Sequence, residues 1–273
     1  NKHNTSGYKG KIGAGREKSR WRAGDFDMDI PQQEMIAGRN AVMEALRSGR
    51  IPDTIYIAEG ELHGSIGKLK ALAHEKGVVV KTVSRKKLDA LSPEVNHQGV
   101  VASCACADYA TIEELLEVSR QKGTAPFLIV ADEIADPHNL GAILRTAEAA
   151  GADGVIIPKR RSASLTAAVY KTSAGAASMV KVARVPNLAA CIRRLKEEGI
   201  WIYGADMEGE RFDRVDLRGA AAIVIGSEGR GLSRIVRESC DFLITLPMKG
   251  QINSLNASVA AGILMYEVVR QRL

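Results

Sequence analysis

Short apolar runs recur along this chain, separated by stretches in which apolar positions return every three or four residues. IAGRNAVMEALRSGR has the helical period, with Val42, Ala45 and Leu46 on one side. DTIYIAEG then reads as a strand, GSIGKLKALAHEKG as a helix, VVVKTVS as a strand, RKKLDALS as a short helix and HQGVVASCA as a strand. This alternation predicts a compact α/β layer over residues 33–106. Residues 107–125 form a connection in which Thr111 to Leu116 has helical character, with Gly123 and Pro126 marking its exit.

The pattern restarts at Phe127. FLIVAD is a buried-strand run, and DPHNLGAILRTAEAAG is a helix with Asp136 as cap and Pro137 in its first position. The strand GVIIP follows, then a Ser/Ala-rich segment and MVKVARV. Next come the helix NLAACIRRLKEEG, the strands IWIYGAD and AAIVIG, a glycine-rich loop, DFLITLPM and a terminal helix. In that last helix Leu255, Val259, Ile263 and Tyr266 return at helical spacing on a face expected to be buried, and Ser254, Asn256 and Ser258 crowd its first turn. Apolar strands alternating with helices over residues 126–273 predict a mostly parallel sheet covered on both faces. Ligands on such sheets bind beyond the carboxyl ends of the strands.

Composition adds limits. With 273 residues, 45% hydrophobic and 26% charged, the chain can bury the cores of two domains. No apolar run has the length of a membrane span and no signal peptide is legible. Cys104, Cys106, Cys191 and Cys240 fit neither zinc spacing nor a disulfide framework, which suits reduced thiols in a cytoplasmic protein without a metal site. The formal charge of +6 is concentrated. Residues 1–32 begin with a Gly-rich cationic stretch, poor in aliphatics, that is expected to be disordered alone. Tyr8 and Trp21 sit among its cations, as suits stacking on bases beside phosphate contacts.

Three strand ends carry candidate chemistry. After FLIVAD, Asn139 lies in the first helical turn and Arg145 follows on the same helix; an amide can orient a hydroxyl and a guanidinium can clamp a phosphate. After AAIVIG, Gly226, Gly229 and Gly231 permit close backbone approach or positive φ, with Glu228 between them. Their order is not that of a dinucleotide fingerprint, and no phosphate-binding P-loop is present. An anion inside the loop favours a ligand with an ammonium or neutral donors. After DFLITLPM, Ser254 and Asn256 offer more polar groups than capping requires.

Taken in order and spacing, DPHNLGAILRTAEAAGADGVII, IVIGSEGRGLS and ITLPMKGQINSLNASVAAGILMYE resemble the three motifs of the SpoU (TrmH-like) RNA 2′-O-ribose methyltransferases of the SPOUT class. IAGRNAVMEAL and NHQGVVA resemble the L30e-like RNA-binding domain of the family's longer members, in particular the RlmB-like enzymes that methylate a 23S rRNA guanosine. The resemblance implies a deep trefoil knot and S-adenosylmethionine held near Ile225, Gly226, Leu246, Met248 and Leu255. It places Asn139, Arg145, Glu228, Ser254 and Asn256 at catalytic positions. It also implies a homodimer through the terminal helix, where Ala257, Ala260, Ala261 and Gly262 would allow close packing. RNA contacts are expected at Arg39 with Asn40, at Arg85, Lys86 and Lys87, and at Lys159, Arg160 and Arg161. A tRNA guanosine methyltransferase and a non-catalytic RNA-binding or ribosome-assembly protein are the competing expectations.

Overall fold

The computed structural model describes residues 34–48, 51–60, 65–93 and 95–273. The basic tail, with Tyr8 and Trp21, lies outside the described residues. The first layer runs β1 (Met35–Ala37), α1 (Arg39–Ser48), β2 (Thr54–Ala58), α2 (Ser65–Glu75), β3 (Val79–Val83), α3 (Arg85–Leu91) and β4 (Val100–Ser103). Its sheet has the order β1-β4-β2-β3, parallel only between β2 and β3. Val42 and Leu46 of α1 and Ile66 and Leu69 of α2 pack on Ile55 and Ile57 of β2, while Leu88 of α3 covers the opposite face with Ala58 and Val101. The helix expected from Ile36 starts only at Arg39. Gly38 sits at φ 102° and donates its N–H to the Val100 carbonyl, which turns the chain out of β1 into α1.

Residues 107–125 do more than connect. They carry α4 (Ile112–Lys122), whose Thr111 and Glu114 form a reciprocal capping box and whose Gly123 closes it in the left-handed region. Ile112, Leu115 and Leu116 of α4 are buried against the second sheet.

That second layer contains β5 (Phe127–Ala131), α5 (Pro137–Ala149), β6 (Gly154–Pro158), α6 (Ala167–Thr172), β7 (Val182–Val185), α7 (Leu188–Glu197), β8 (Trp201–Arg211), β9 (Ala221–Ile225), α8 (Arg234–Ser239), β10 (Phe242–Thr245) and α9 (Ala257–Arg272). Its sheet is parallel throughout, in the order β10-β8-β9-β5-β6-β7. β5 and β9 are buried along their whole length, the continuous apolar signature of a sheet covered on both faces. α5, α6 and α9 contribute to the core on one face, α4, α7 and α8 to that on the other. After β5 the chain moves to β6 and β7; after β9 it moves to β10 at the far edge. The carboxyl ends of β5 and β9 therefore flank a switch point, where open α/β sheets place their ligands.

Several expectations change here. The Ser/Ala-rich segment contains α6 and the glycine-rich loop ends in α8, both too short for a periodic signal. The terminal helix begins at Ala257, so Ser254 lies ahead of it. Its buried side is Ala257, Ala261, Leu264, Met265 and Val268, whereas Val259, Ile263 and Tyr266 stay 49%, 39% and 51% exposed. Of its small residues, Ala257 and Ala261 enter the chain's own core, and an added Cβ on Gly262 would make an ordinary 3.7 Å contact with Thr146 Cγ2 of α5. At the far end, Arg272 donates to the carbonyls of Ala125 (2.9 Å) and Pro126 (3.1 Å) and lies over the Phe127 ring. Burial lowers its pKa from the ordinary guanidinium value. Among the described residues no helix is long and apolar enough to cross a membrane, and no cluster of His, Cys, Asp or Glu could hold a metal.

Candidate active site

Asp132, the first residue after β5, is 3% exposed and accepts the Ser233 N–H at 2.7 Å. It thereby fastens the far end of the loop after β9 to the end of the neighbouring strand. Burial raises its pKa, and the Ser233 hydrogen bonds oppose that rise only in part. The loop itself folds back tightly: Ser227 and Gly231 exchange backbone hydrogen bonds of 3.1 and 2.9 Å. A Cβ on Gly226 would collide with the Gly231 backbone, so this glycine is needed for the loop's contact with itself. Gly229 and Gly231 occupy positive φ, at 80° and 66°.

The turn projects Glu228 toward two helix entrances. At one, the Asp136 carboxylate accepts the N–H groups of His138 (3.1 Å) and Asn139 (3.3 Å), capping α5. At the other, the Asn256 Oδ1 accepts the N–H groups of Ser258 (3.0 Å) and Val259 (3.2 Å) and the Ser258 hydroxyl (2.6 Å). Between them, Glu228 Oε1 accepts from Asn139 Nδ2 at 3.2 Å, from Asn256 Nδ2 and from the Ala257 N–H at 3.3 Å. Asn256 Nδ2 also donates to Asn139 Oδ1 at 2.9 Å. Three segments distant in the chain are thus held by one carboxylate and two amides, with Asn139 only 9% exposed.

Beside this network lies a cavity of about 690 Å³. Ile225, Gly226, Glu228, Leu246, Met248, Ser254 and Leu255 all line it. Asp206, Thr245 and Asn253 line it too and escaped the sequence analysis. Asp206 ends the apolar run IWIYGA, the one legible signal for it. Burial would raise its pKa, but hydrogen bonds from Arg237 (2.9 Å) and the Glu208 N–H (3.0 Å) outweigh that and lower it.

Arg145 is not brought to this cavity. It is exposed on α5, and its neighbour Thr146 faces Gly262 of α9. The RNA candidates fall in separate places. Arg39 Nε donates to the Gln98 carbonyl at 2.9 Å, and Asn40 is exposed. Arg85, Lys86 and Lys87 are exposed in the first turn of α3. Lys159 and Arg160 follow β6 in sequence, and Arg161 donates to Glu133 at 2.8 Å.

Residues 126–266 match the SpoU rRNA Methylase family. The chain belongs to that family. The SpoU match is preceded, over residues 35–110, by one to the domain described as RNA 2′-O ribose methyltransferase substrate binding. A putative TrmH family tRNA/rRNA methyltransferase of Bacillus subtilis, YacO, is 48% identical over 88% of this chain and 97% of its own. The SpoU methyltransferase AviRb of Streptomyces viridochromogenes, solved with AdoMet, is 25% identical over 88% of this chain and 90% of its own, with a TM-score of 0.55. An AdoMet-bound rRNA methyltransferase of Sinorhizobium meliloti shares the fold, with a TM-score of 0.56 at 24% identity over 89% and 88% of the two chains. This SpoU protein is therefore an RNA methyltransferase with a substrate-binding domain ahead of its SPOUT domain.

Proposed function

We propose that the chain transfers a methyl group from S-adenosylmethionine to a ribose 2′-oxygen of RNA, with a guanosine of 23S rRNA as the target, in the cytoplasm. The observation that carries this reading is the Asn139–Glu228–Asn256 network at the rim of the cavity. It sets hydrogen-bonding amides, fixed by a carboxylate, beside a space of the size small-molecule sites occupy, about 300–1,000 Å³. The substrate-binding match at residues 35–110 supports RNA as the acceptor.

The cavity's chemistry fits the cofactor. Ile225, Leu246, Met248 and Leu255 offer apolar wall to a nucleoside base, while Asp206 and Glu228 offer carboxylates to the cationic methionine end. Bound there, S-adenosylmethionine supplies a methyl group already activated by its sulfonium. The protein's own work is to orient the ribose hydroxyl and stabilise it as its proton leaves. Asn139, Asn256 and Ser254 suit the positioning of that hydroxyl, with Glu228 holding both amides. The deep trefoil knot belongs to the same proposal and is supported by the contact of the loop after β9 with the entrance of α9.

Arg145 would act on the substrate phosphate rather than as a base, because a free guanidinium is neutral only about one time in a million at neutral pH. Its absence from this chain's own cavity supports a homodimer. The uncovered Val259, Ile263 and Tyr266 row is an apolar strip on α9, the helix packed against α5, and a second copy docked on it would bring its own Arg145 toward the site. Arg85, Lys86 and Lys87 suit RNA contact for an energetic reason: three cations at a helix N-terminus oppose its dipole, and α3 has no acid in its first turn to offset them.

The deciding experiment is transfer of labelled methyl from S-adenosylmethionine to protein-free bacterial 23S rRNA and to unmodified tRNA, with mapping of the 2′-O-methylated nucleotide. Label at one 23S guanosine is the expected result. Label in tRNA alone would keep the chemistry and move the target to tRNA, the other substrate in the Bacillus subtilis relative's description. Label in neither would overturn the proposal on free RNA.

A further inference from the structure

A second cavity, of about 560 Å³, lies between the two sheets. Thr54 and Tyr56 of β2 and Val79, Val80 and Lys81 of β3 form one wall. Ala135, Pro137 and the segment after β6 form the other. Its lining carries Lys81, Lys159, Arg160, Arg161 and Arg184, and no carboxylate. Lys159 reaches across it: its ammonium comes within 3.4 Å of where a Cβ on Gly77 would stand. Arg161 is paired with Glu133 and Arg184 with Asp53; Lys81, Lys159 and Arg160 make no ion pair among the described residues. Arg184 Nε is buried and has no hydrogen-bond acceptor. The hydroxyls of Ser164 and Thr166 add neutral donors, while that of Ser162 is committed to the Ile134 and Ala163 carbonyls.

Lys81, Lys159 and Arg160, which make no ion pair among the described residues, face one space and repel one another. That repulsion falls when an anion enters. The wall is also continuous with the catalytic machinery, since Pro137 opens α5 two residues before Asn139.

We propose that this cleft is a phosphodiester channel that holds the RNA backbone next to the target ribose. The inference rests on RNA being the substrate and adds where its backbone runs. Phosphates would be bound by Lys81 from the substrate-binding domain and by Lys159 and Arg160 from the SPOUT domain. Both domains then grip one strand, and the channel recognises charge and spacing rather than base identity.

The test uses the full chain and protein-free 23S rRNA in filter binding from about 50 to 200 mM salt, comparing wild type with Lys81→Ala/Lys159→Ala/Arg160→Ala. Arg193→Ala, an exposed cation on the opposite face of the SPOUT sheet, is the control. The triple variant should lose about two to three units of the salt slope and raise the RNA KM roughly 100-fold, with kcat at saturating RNA within about twofold. S-adenosylmethionine affinity, measured by calorimetry, should not change. Lys159→Ala alone should lose about one unit of slope, so the idea stays testable if the triple variant folds poorly. A slope and KM equal to wild type would sink the channel even if RNA is methylated. Equal loss in Arg193→Ala per charge removed would reduce it to a general charge effect and overturn it as well. Wild type that binds RNA through these cations but transfers no methyl would leave the channel standing and remove the methylation proposal.

Discussion

Asn256 donates its side-chain amide to the Asn139 carbonyl oxygen at 2.9 Å, across 117 residues of chain. Asn256 does two things at once, capping α9 with its oxygen and joining the Glu228 network with its nitrogen. The roles separate by substitution. Asn256→Ala should cost about 1 kcal/mol of stability through the lost cap and about 100-fold in turnover. Asn256→Ser restores an oxygen for the cap but no amide. Thermal melts and methyl transfer on both should show stability recovered and turnover still low; recovery of both by serine would confine Asn256 to capping.

Arg145→Ala should leave S-adenosylmethionine affinity unchanged and lower turnover at least about 100-fold. If a second copy completes the site, mixing it with a cofactor-deficient variant such as Gly226→Val should restore part of the activity. Ile263→Glu should abolish both that rescue and the dimer in sedimentation. A monomeric wild type with full activity would rule out the shared site.

Asp53 of the first layer and Arg184 of the second are ion-paired while only 5% and 9% exposed. Tyr109 donates to Asp53 at 3.2 Å, and its own hydroxyl accepts the Leu165 N–H at 3.0 Å. Burial, and then the Asp53 charge, raise the Tyr109 pKa far above its ordinary value. Removing one member strands a buried charge, so Asp53→Ala should destabilise by about 3–5 kcal/mol. Asp53→Ala/Arg184→Leu should recover much of that loss. Denaturant titrations of the single and double variants measure this. An equal loss in both would mean the pair is not what joins the layers.

Asp132 supplies a pH signature. Its folded pKa is raised above the ordinary 3.8, so folding takes up a proton between that value and the folded pKa, and stability falls as pH rises through that window. Asp132→Asn cannot titrate. The stability difference, variant minus wild type, should therefore shift toward the variant from about pH 4 upward and level off once Asp132 is ionised. A shift in the opposite sense in melts across that range would contradict the raised pKa.

The parallel sheet was legible because its strands are buried on both faces and read as unbroken apolar runs. The strand-end motifs were legible because each is contiguous: the cap at Asp136 and Pro137 and the glycines at 226, 229 and 231 are local devices that a local pattern exposes. What the sequence hid is of another kind. β1 and α8 are too short to show a period. The α9 row at Val259, Ile263 and Tyr266 has the spacing of a buried face, and only three-dimensional packing shows that the opposite, alanine-rich side is inside. Asp53, Tyr109 and Arg184 stand on three separate segments and look like ordinary surface residues until the layers meet. Arg145 shares a helix with Asn139, but six residues at about 100° each turn it well away from the network.

The grip of Arg272 on the carbonyls of Ala125 and Pro126 has a consequence for how the protein is made. The residues that lead into β5 are clasped by a side chain 146 and 147 positions further along the chain. During translation β5 leaves the ribosome well before its clasp is made, so the core under α9 closes late and the sheet stays uncovered on that side until α9 has emerged.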